Sequence, residues 1–194
     1  MKKIKIVALI GKAGSGKDTL LKRLVKDNEG FNEIISCTTR PPREGEKDGF
    51  AYRFLTDEEF AAKVLQGDML EAAAFRDWVY GTSYESLDED KINIGVFNPT
   101  GIESLMCHKK LIDLQVFYII CSDKERLIRQ LNRESNPDID EIFRRFNTDR
   151  DDFFDLDFEL EDDTFKSDIN FIPVQNETKQ DLVSAVRTII ENIV

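Results

Sequence analysis

The feature that most constrains this chain is a seven-residue loop, Gly11-Lys12-Ala13-Gly14-Ser15-Gly16-Lys17, set between two apolar patterns. Before it, residues 3–10 end in the unbroken apolar run Ile6 to Ile10, which reads as a strand buried on both faces of a parallel sheet. After it, residues 16–27 place Leu20, Leu21, Leu24 and Val25 on one helical stripe. The loop fits the first seven positions of G-x-x-x-x-G-K-[ST]. Glycines at those positions let consecutive backbone N–H groups curl around phosphate oxygens, and the helix start adds partial positive charge. Lys17 then reaches the β- and γ-phosphates of a nucleoside triphosphate. Gly11, Lys12, Ala13, Gly14, Ser15, Gly16 and Lys17 are thus the expected triphosphate cradle. The eighth position departs from the pattern, with Asp18 where a hydroxyl usually ligates Mg²⁺, and Thr19 follows. Asp18 serves either as a carboxylate metal ligand or as a favourable charge at the helix start. Thr19 projects elsewhere on the helix and is the weaker substitute.

The remaining pattern extends this start into an α/β domain. Apolar runs at 92–97 and 115–121 read as further strands. Helical patterns occupy about 100–109, 123–133, 138–152 and 179–193, the last with Leu182, Val183, Val186, Ile189, Ile190 and Ile193 on one face. Strands alternating with helices imply a parallel sheet. Residues 34–85 break the rhythm with short strands, a Pro41–Pro42 turn and a helix near 57–66, as an inserted subdomain would. Residues 149–163 hold nine acidic residues in fifteen. Within them, Asp155 to Leu160 alternates with period two, which predicts a half-exposed edge strand.

Composition narrows the function classes. The 194 residues carry 27 Lys and Arg against 38 Asp and Glu, a net charge of −11. That excess argues against a general nucleic-acid or membrane-surface binder, both of which need a basic footprint. It leaves room for a local cluster of cations around phosphate. No run approaches the roughly 18 apolar residues of a spanning helix. The odd set Cys37, Cys107 and Cys121 shows no metal-like spacing and points to a reducing, cytoplasmic compartment. His108 stands apart from other candidate ligands and reads as a structural histidine.

A second cluster begins at residue 36: Ser-Cys-Thr-Thr-Arg-Pro-Pro-Arg-Glu-Gly-Glu-Lys-Asp-Gly-Phe-Ala-Tyr-Arg-Phe, followed by Leu70-Glu71-Ala72 and Tyr80-Gly81-Thr82-Ser83. Arginine forks and phenol hydroxyls suit a phosphate monoester. A carboxylate that accepts two N–H bonds, beside hydroxyls that donate to a carbonyl, suits the edge of guanine; adenine has no such donor pair.

With these motifs the sequence resembles guanylate kinases over most of its length. The shared features are the phosphate loop, T-T-R-x-P-R-x-G-E-x-x-G-x-x-Y-x-F, the E…Y-G-T stretch and the C-terminal strand, loop and helix. The resemblance implies a three-layer P-loop NTPase fold in a single domain. Its core would span 1–33, 86–122 and 164–194, with a monophosphate-binding insert at 34–85 and a lid with the acidic insertion at 123–163. It implies ATP-dependent, Mg²⁺-dependent phosphorylation of GMP or dGMP by direct in-line transfer, in a monomer or homodimer. Arg40, Arg43, Tyr52 and Tyr80 would hold the acceptor phosphate. Ser36, Glu71 and Thr82 would read guanine, with Asn98 near the base. Among the lid candidates Arg126, Arg129, Arg133, Arg144, Arg145 and Arg150, the family pattern matches Arg145 best as catalytic and Arg129 next. Asn176 matches the adenine-side loop.

One departure is marked. The family usually has two acids shortly before a glycine after the third strand; aligning on Gly101 puts Val96 and Asn98 there. Either Asp18 supplies the missing carboxylate or the chain is a binding module that has lost catalysis. A P-loop kinase acting on another deoxynucleotide or a sugar phosphate is the nearest rival, opposed by Ser36, Glu71 and Thr82 together.

Overall fold

The computed structural model describes residues 2–43, 45–50, 52–75, 77–133, 135–157 and 170–193. The first strand, β1 (Ile4–Ile10), buries Ala8, Leu9 and Ile10 completely. It is the centre of a five-stranded sheet. The other members are β2 (Phe31–Glu33), β7 (Ile92–Val96), β8 (Ile112–Ile120) and β9 (Phe171–Gln175), in the order β2-β7-β1-β8-β9. β2 runs parallel to β7, and β8 parallel to β9. The apolar run at 6–10 therefore has the cause inferred for it: a central strand with no face left for water.

A second sheet lies within residues 37–83. It has the order β4-β3-β6-β5, from β3 (Cys37–Thr38), β4 (Arg53–Phe54), β5 (Met69–Phe75) and β6 (Trp78–Ser83). β3 pairs parallel with β4 and antiparallel with β6, and β5 and β6 form an antiparallel pair with a bulge between Met69 and Glu71.

The helices begin where capping chemistry dictates. α1 (Lys17–Asp27) starts on the last residue of the glycine loop and buries Leu20, Leu21 and Leu24. α2 (Asp57–Gln66) opens on a capping box: the Glu59 N–H donates to Thr56 Oγ1 and the Thr56 N–H to Glu59 Oε2. It stops at Gly67, whose left-handed φ of +77° terminates the helix. α3 (Pro99–Met106) carries proline in its first turn and is capped by Asn98. α4 (Asp123–Leu131) and α5 (Ile139–Asp152) are capped by Ser122 and Asp138. α6 (Lys179–Ile193) buries Ala185 and Ile189.

The chain divides into two compact units. One comprises residues 1–8 and 25–114, the other residues 9–24 and 115–194. The first holds the second sheet, with α3 packed on β5. The second holds the glycine loop, α1 up to Leu24, α4, α5, β9 and α6, with α4 packed against α5.

The edge strand expected at 155–160 is not formed in its described part, 155–157. Residues 154–157 are helical, and 158–163 lie outside the described residues. Phe153 and Leu156, three apart, are both buried, and Phe153 stacks on Tyr118 with ring centroids 5.5 Å apart. The helical spacing of that apolar pair overrides the period-two alternation. Among the described residues no helix is long and apolar enough to cross a membrane.

Candidate active site

The second unit builds the phosphate loop as a backbone device. Gly14 and Gly16 sit at φ +82° and +91°, which glycine alone adopts without strain. They are also crowded. A Cβ on Gly14 would meet the Arg126 carbonyl at 2.7 Å, and one on Gly16 would collide with the Asn176 amide.

Each carbonyl from Lys12 to Ser15 is held. Lys12 O accepts from the Ser15 N–H at 3.1 Å and from Lys17 Nζ at 3.4 Å. Ala13 O accepts from Arg126 Nε at 2.9 Å and Gln130 Nε2 at 3.4 Å. Gly14 O and Ser15 O accept from Arg129 at 3.5 and 3.2 Å, and Asn176 Nδ2 adds a bond to Ser15 O at 2.7 Å. In a trans peptide the N–H points opposite to the preceding carbonyl. Holding Ala13 O and Ser15 O therefore aims the Gly14 and Gly16 N–H groups the other way, as an anion cradle requires.

Arg126, Arg129 and Gln130 share one face of α4, at i, i+3 and i+4. Arg129 also donates to the Asn176 and Glu177 carbonyls at 2.9 and 2.7 Å and to Glu125 at 3.0 Å. It thus ties the loop to the segment before α6. Glu177 in turn accepts from the Ser122 N–H and hydroxyl.

Lys17 is half-buried, and desolvation pulls its ammonium below the ordinary lysine range. The carboxylates of Asp18 and Asp149 oppose that fall, and the guanidinium groups of Arg126 and Arg145 add to it. Arg145 stands on α5, half-buried, donating to Glu141 Oε1 at 2.8 Å. Glu141 also takes both Arg144 donors, and these bonds hold its pKa at about 2 against the upward push of burial. Asp18 is exposed at the second residue of α1, and Thr19 beside it is exposed as well. Among the described residues no group of three or more His, Cys, Asp or Glu side chains could hold a metal. A magnesium ion bound chiefly by phosphate oxygens and water needs only one protein carboxylate, and Asp18 fits that requirement.

The first unit places a second cluster on one face of the second sheet. Thr38 is paired with Tyr80 and Phe54, and Glu71 with Thr82. Continuing the same registers puts Ser36 opposite both Thr82 and Tyr52. Paired residues share a face, so Ser36, Tyr52, Tyr80, Thr82 and Glu71 all lie on one side. Glu71 is 6% exposed and Thr82 is fully buried. Burial pushes the Glu71 carboxyl up to about 7, with the nearby Thr82 hydroxyl and N–H opposing the rise. The Thr82 hydroxyl itself makes no hydrogen bond of standard geometry.

Arg40 is 4% exposed. Its guanidinium makes a two-pronged bond to Glu46 at 3.0 and 2.9 Å, donates to Pro41 O at 2.8 Å, and lies over the Tyr52 and Phe54 rings. Tyr52 and Tyr80 meet edge to face at 5.9 Å. Arg43 is exposed, with its backbone N–H on Glu46. Asn98 directs its Oδ1 to the Gly101 N–H at 2.7 Å, so that oxygen serves as a helix cap.

Two carboxylates at the loop, those of Asp149 and Asp157, stand outside the sequence-based assignment. Asp149 accepts the Ala13 N–H at 2.8 Å, and Arg126 pairs with Asp149. Asp157 takes Lys12 Nζ at 2.5 Å and the Tyr118 hydroxyl at 2.6 Å. A signal for Asp149 existed in the sequence. It stands seven residues after the buried Ile142 and four after Arg145, on the inward stripe of α5.

Comparison with known proteins decides the family. The guanylate kinase family model matches residues 3–172. The chain belongs to the guanylate kinase family. It is 31% identical over 183 residues to a guanylate kinase of Campylobacter jejuni, covering 90% of this chain and 82% of that protein. It is 31% identical over 191 residues to one from Thermotoga maritima, covering 96% and 86%. A guanylate kinase of Schizosaccharomyces pombe is 48% identical over 90 residues, a match spanning 45% of this chain and 44% of the relative. The crystal structure of guanylate kinase from Anaplasma phagocytophilum shares the fold, with a TM-score of 0.63 and 18% identity over 100% of this chain and 88% of that one.

Proposed function

We propose that this member of the guanylate kinase family transfers the γ-phosphoryl group of ATP to GMP or dGMP, yielding ADP and GDP or dGDP. The observation that carries the acceptor assignment is the pairing of Glu71 with Thr82, with Ser36 immediately before β3 on the continued β3–β6 register. The Glu71 carboxylate accepts the N1–H and N2–H₂ donors of guanine, and the hydroxyls of Ser36 and Thr82 complete the edge. A site of buried polar groups rejects bases that leave those groups unpaired.

Arg40, Arg43, Tyr52 and Tyr80 bind the acceptor phosphate, and one of its oxygens attacks the γ-phosphorus. The bond to the β–γ bridging oxygen breaks in line, and ADP leaves. Lys17 and the outward amides of the loop, Gly14 and Gly16 among them, hold the ATP phosphates. Arg145 neutralises charge on the transferring group. Arg129 and Asn176 fix the loop and the adenine side. Magnesium, held at Asp18, would neutralise the β- and γ-phosphate charge.

In this assignment residues 34–85 are the acceptor insert, 123–163 the lid, and 1–33, 86–122 and 164–194 the core. The enzyme works in the reducing cytoplasm, consistent with the free thiols of Cys37, Cys107 and Cys121.

The test is ADP release from Mg-ATP with GMP, dGMP, AMP, CMP, UMP and dTMP in turn. Turnover confined to the two guanine nucleotides is expected. Turnover with another acceptor would overturn the guanine assignment. No turnover with any acceptor, alongside GMP binding, would leave a binding module.

A further inference from the structure

Ala13 is gripped on both sides. Its N–H donates to Asp149 Oδ2 at 2.8 Å, and its carbonyl accepts from Arg126 Nε at 2.9 Å. Arg126 and Asp149 are themselves paired through the guanidinium NH2. Arg126 is 2% exposed, bonded also to Asp123 at 2.5 Å and seated over the Phe146 ring at 4.4 Å. The ring, the second acid and the helix packing fix the guanidinium before any ligand arrives. Its own backbone carbonyl lies where a side chain on Gly14 would go.

The two grips act on successive peptide planes. Asp149 orients the plane between Lys12 and Ala13, turning the Lys12 carbonyl toward the Ser15 N–H and Lys17. Arg126 orients the plane between Ala13 and Gly14, turning the Gly14 N–H away from α4. Charge-assisted bonds are about twice as strong as neutral ones, so a buried ion pair is well suited to fixing two planes at once.

We propose that Asp149, through its pairing with Arg126, is a positioning residue that presets the phosphate loop for ATP. The inference rests on the assignment of residues 11–17 as the ATP phosphate site. An internal anion that merely occupied the phosphate position would need only the N–H. Here the carbonyl of the same residue is held by the carboxylate's own partner, and a phosphate cannot replace that contact. Lys12, the preceding residue, is anchored by its side-chain ammonium on Asp157.

The test compares steady-state kinetics of the full chain and two variants, with thermal unfolding alongside. Asp149→Ala should raise KM for ATP at least tenfold while KM for GMP stays within twofold. Asp149→Asn keeps an acceptor for the Ala13 N–H but loses the charge facing Arg126, and should raise KM for ATP about threefold. Since the asparagine is close to isosteric, it carries the test by itself if the alanine variant fails to fold. A purely structural role would lower the unfolding temperature and leave KM for ATP unchanged well below it; that result overturns the inference. A lower KM for ATP in Asp149→Ala also overturns it, and would make the carboxylate a competitor of phosphate. Failure of the wild-type chain to bind ATP would instead remove the loop assignment, and the inference with it.

Discussion

Asn176 donates its side-chain amide to the carbonyl of Ser15 at 2.7 Å, joining the glycine loop to a residue 161 positions later. The same amide occupies the space a Cβ on Gly16 would need. The loop thus depends on glycine at 16 for two separate reasons, its φ of +91° and the approach of Asn176. Asn176→Ala removes one bond to Ser15 O and leaves that from Arg129. The expected loss is about 1 kcal/mol of ATP affinity, roughly a fivefold rise in Kd by calorimetry. Gly16→Ala should abolish ATP binding. Adding Asn176→Ala to it should not restore binding, because the backbone strain at 16 remains.

Glu71 makes GMP binding and stability respond to pH in opposite directions. Its folded-state pKa of about 7 stands above the ordinary 4.5 because burial disfavours the charged form. Between those values the folded chain holds a proton that the unfolded chain has lost. The associated stability is fully present below pH 4.5 and is lost as pH rises through 7, a change of about 3 kcal/mol. Guanine needs the ionised carboxylate, so GMP affinity should fall about tenfold for each pH unit below 7. Glu71→Gln should flatten the stability profile and abolish GMP binding. Urea unfolding and GMP titration at pH 5, 6, 7 and 8 measure both trends. A GMP affinity that does not change from pH 5 to 8 would remove Glu71 from the base site.

Much of this architecture is legible in the sequence, and the exceptions have physical causes. β1 and α1 announce themselves because their apolar periods are uninterrupted and the glycine motif fixes the join. The grouping of Ser36, Thr82 and Glu71 is visible only as chemistry; the antiparallel register of β6 with β3 and β5 puts them on one face. α4 misleads, since it turns Arg126 and Gln130 inward and leaves Ile128 and Leu131 partly in water. A helix that grips backbone carbonyls needs a polar inner face, and hydrophobic patterning cannot identify one. The acidic stretch misleads likewise. Its charge reads as solvated surface, yet Asp157 pairs with Lys12 of the loop, and Asp149 takes the Ala13 N–H and pairs with Arg126 of α4.

Arg40 and Glu46 form the counterpart of these contacts in the acceptor half. The guanidinium is nearly fully buried, so removing its partner leaves a desolvated cation. Burial raises the Glu46 pKa, but bonds from Arg43 and Arg40 and their charges more than offset it, and the net shift is downward. Glu46→Ala should therefore destabilise the chain by about 1–3 kcal/mol. Saturating GMP should recover part of the loss, because its phosphate pairs with Arg40. Thermal melts with and without GMP test this. A destabilisation that GMP leaves untouched would mean that Arg40 does not meet the acceptor phosphate.

Lys17 separates the two halves of the reaction. Its ammonium is held back by the Lys12 carbonyl at 3.4 Å and lies within the field of Asp18 and Asp149. In the proposed assignment GMP is held by Ser36, Arg40, Tyr52, Glu71, Tyr80 and Thr82, and the ATP phosphates by Lys17. Lys17→Ala removes the cation that follows the β- and γ-phosphates into the transition state. Loss of one preorganised charge of this kind costs about 10²–10³ in kcat. GMP binding should survive within twofold, because its contacts are elsewhere. ADP release measures the first effect and calorimetric GMP titration the second. Parallel loss of turnover and GMP affinity would place the monophosphate on Lys17 and reverse the partition of the two nucleotides.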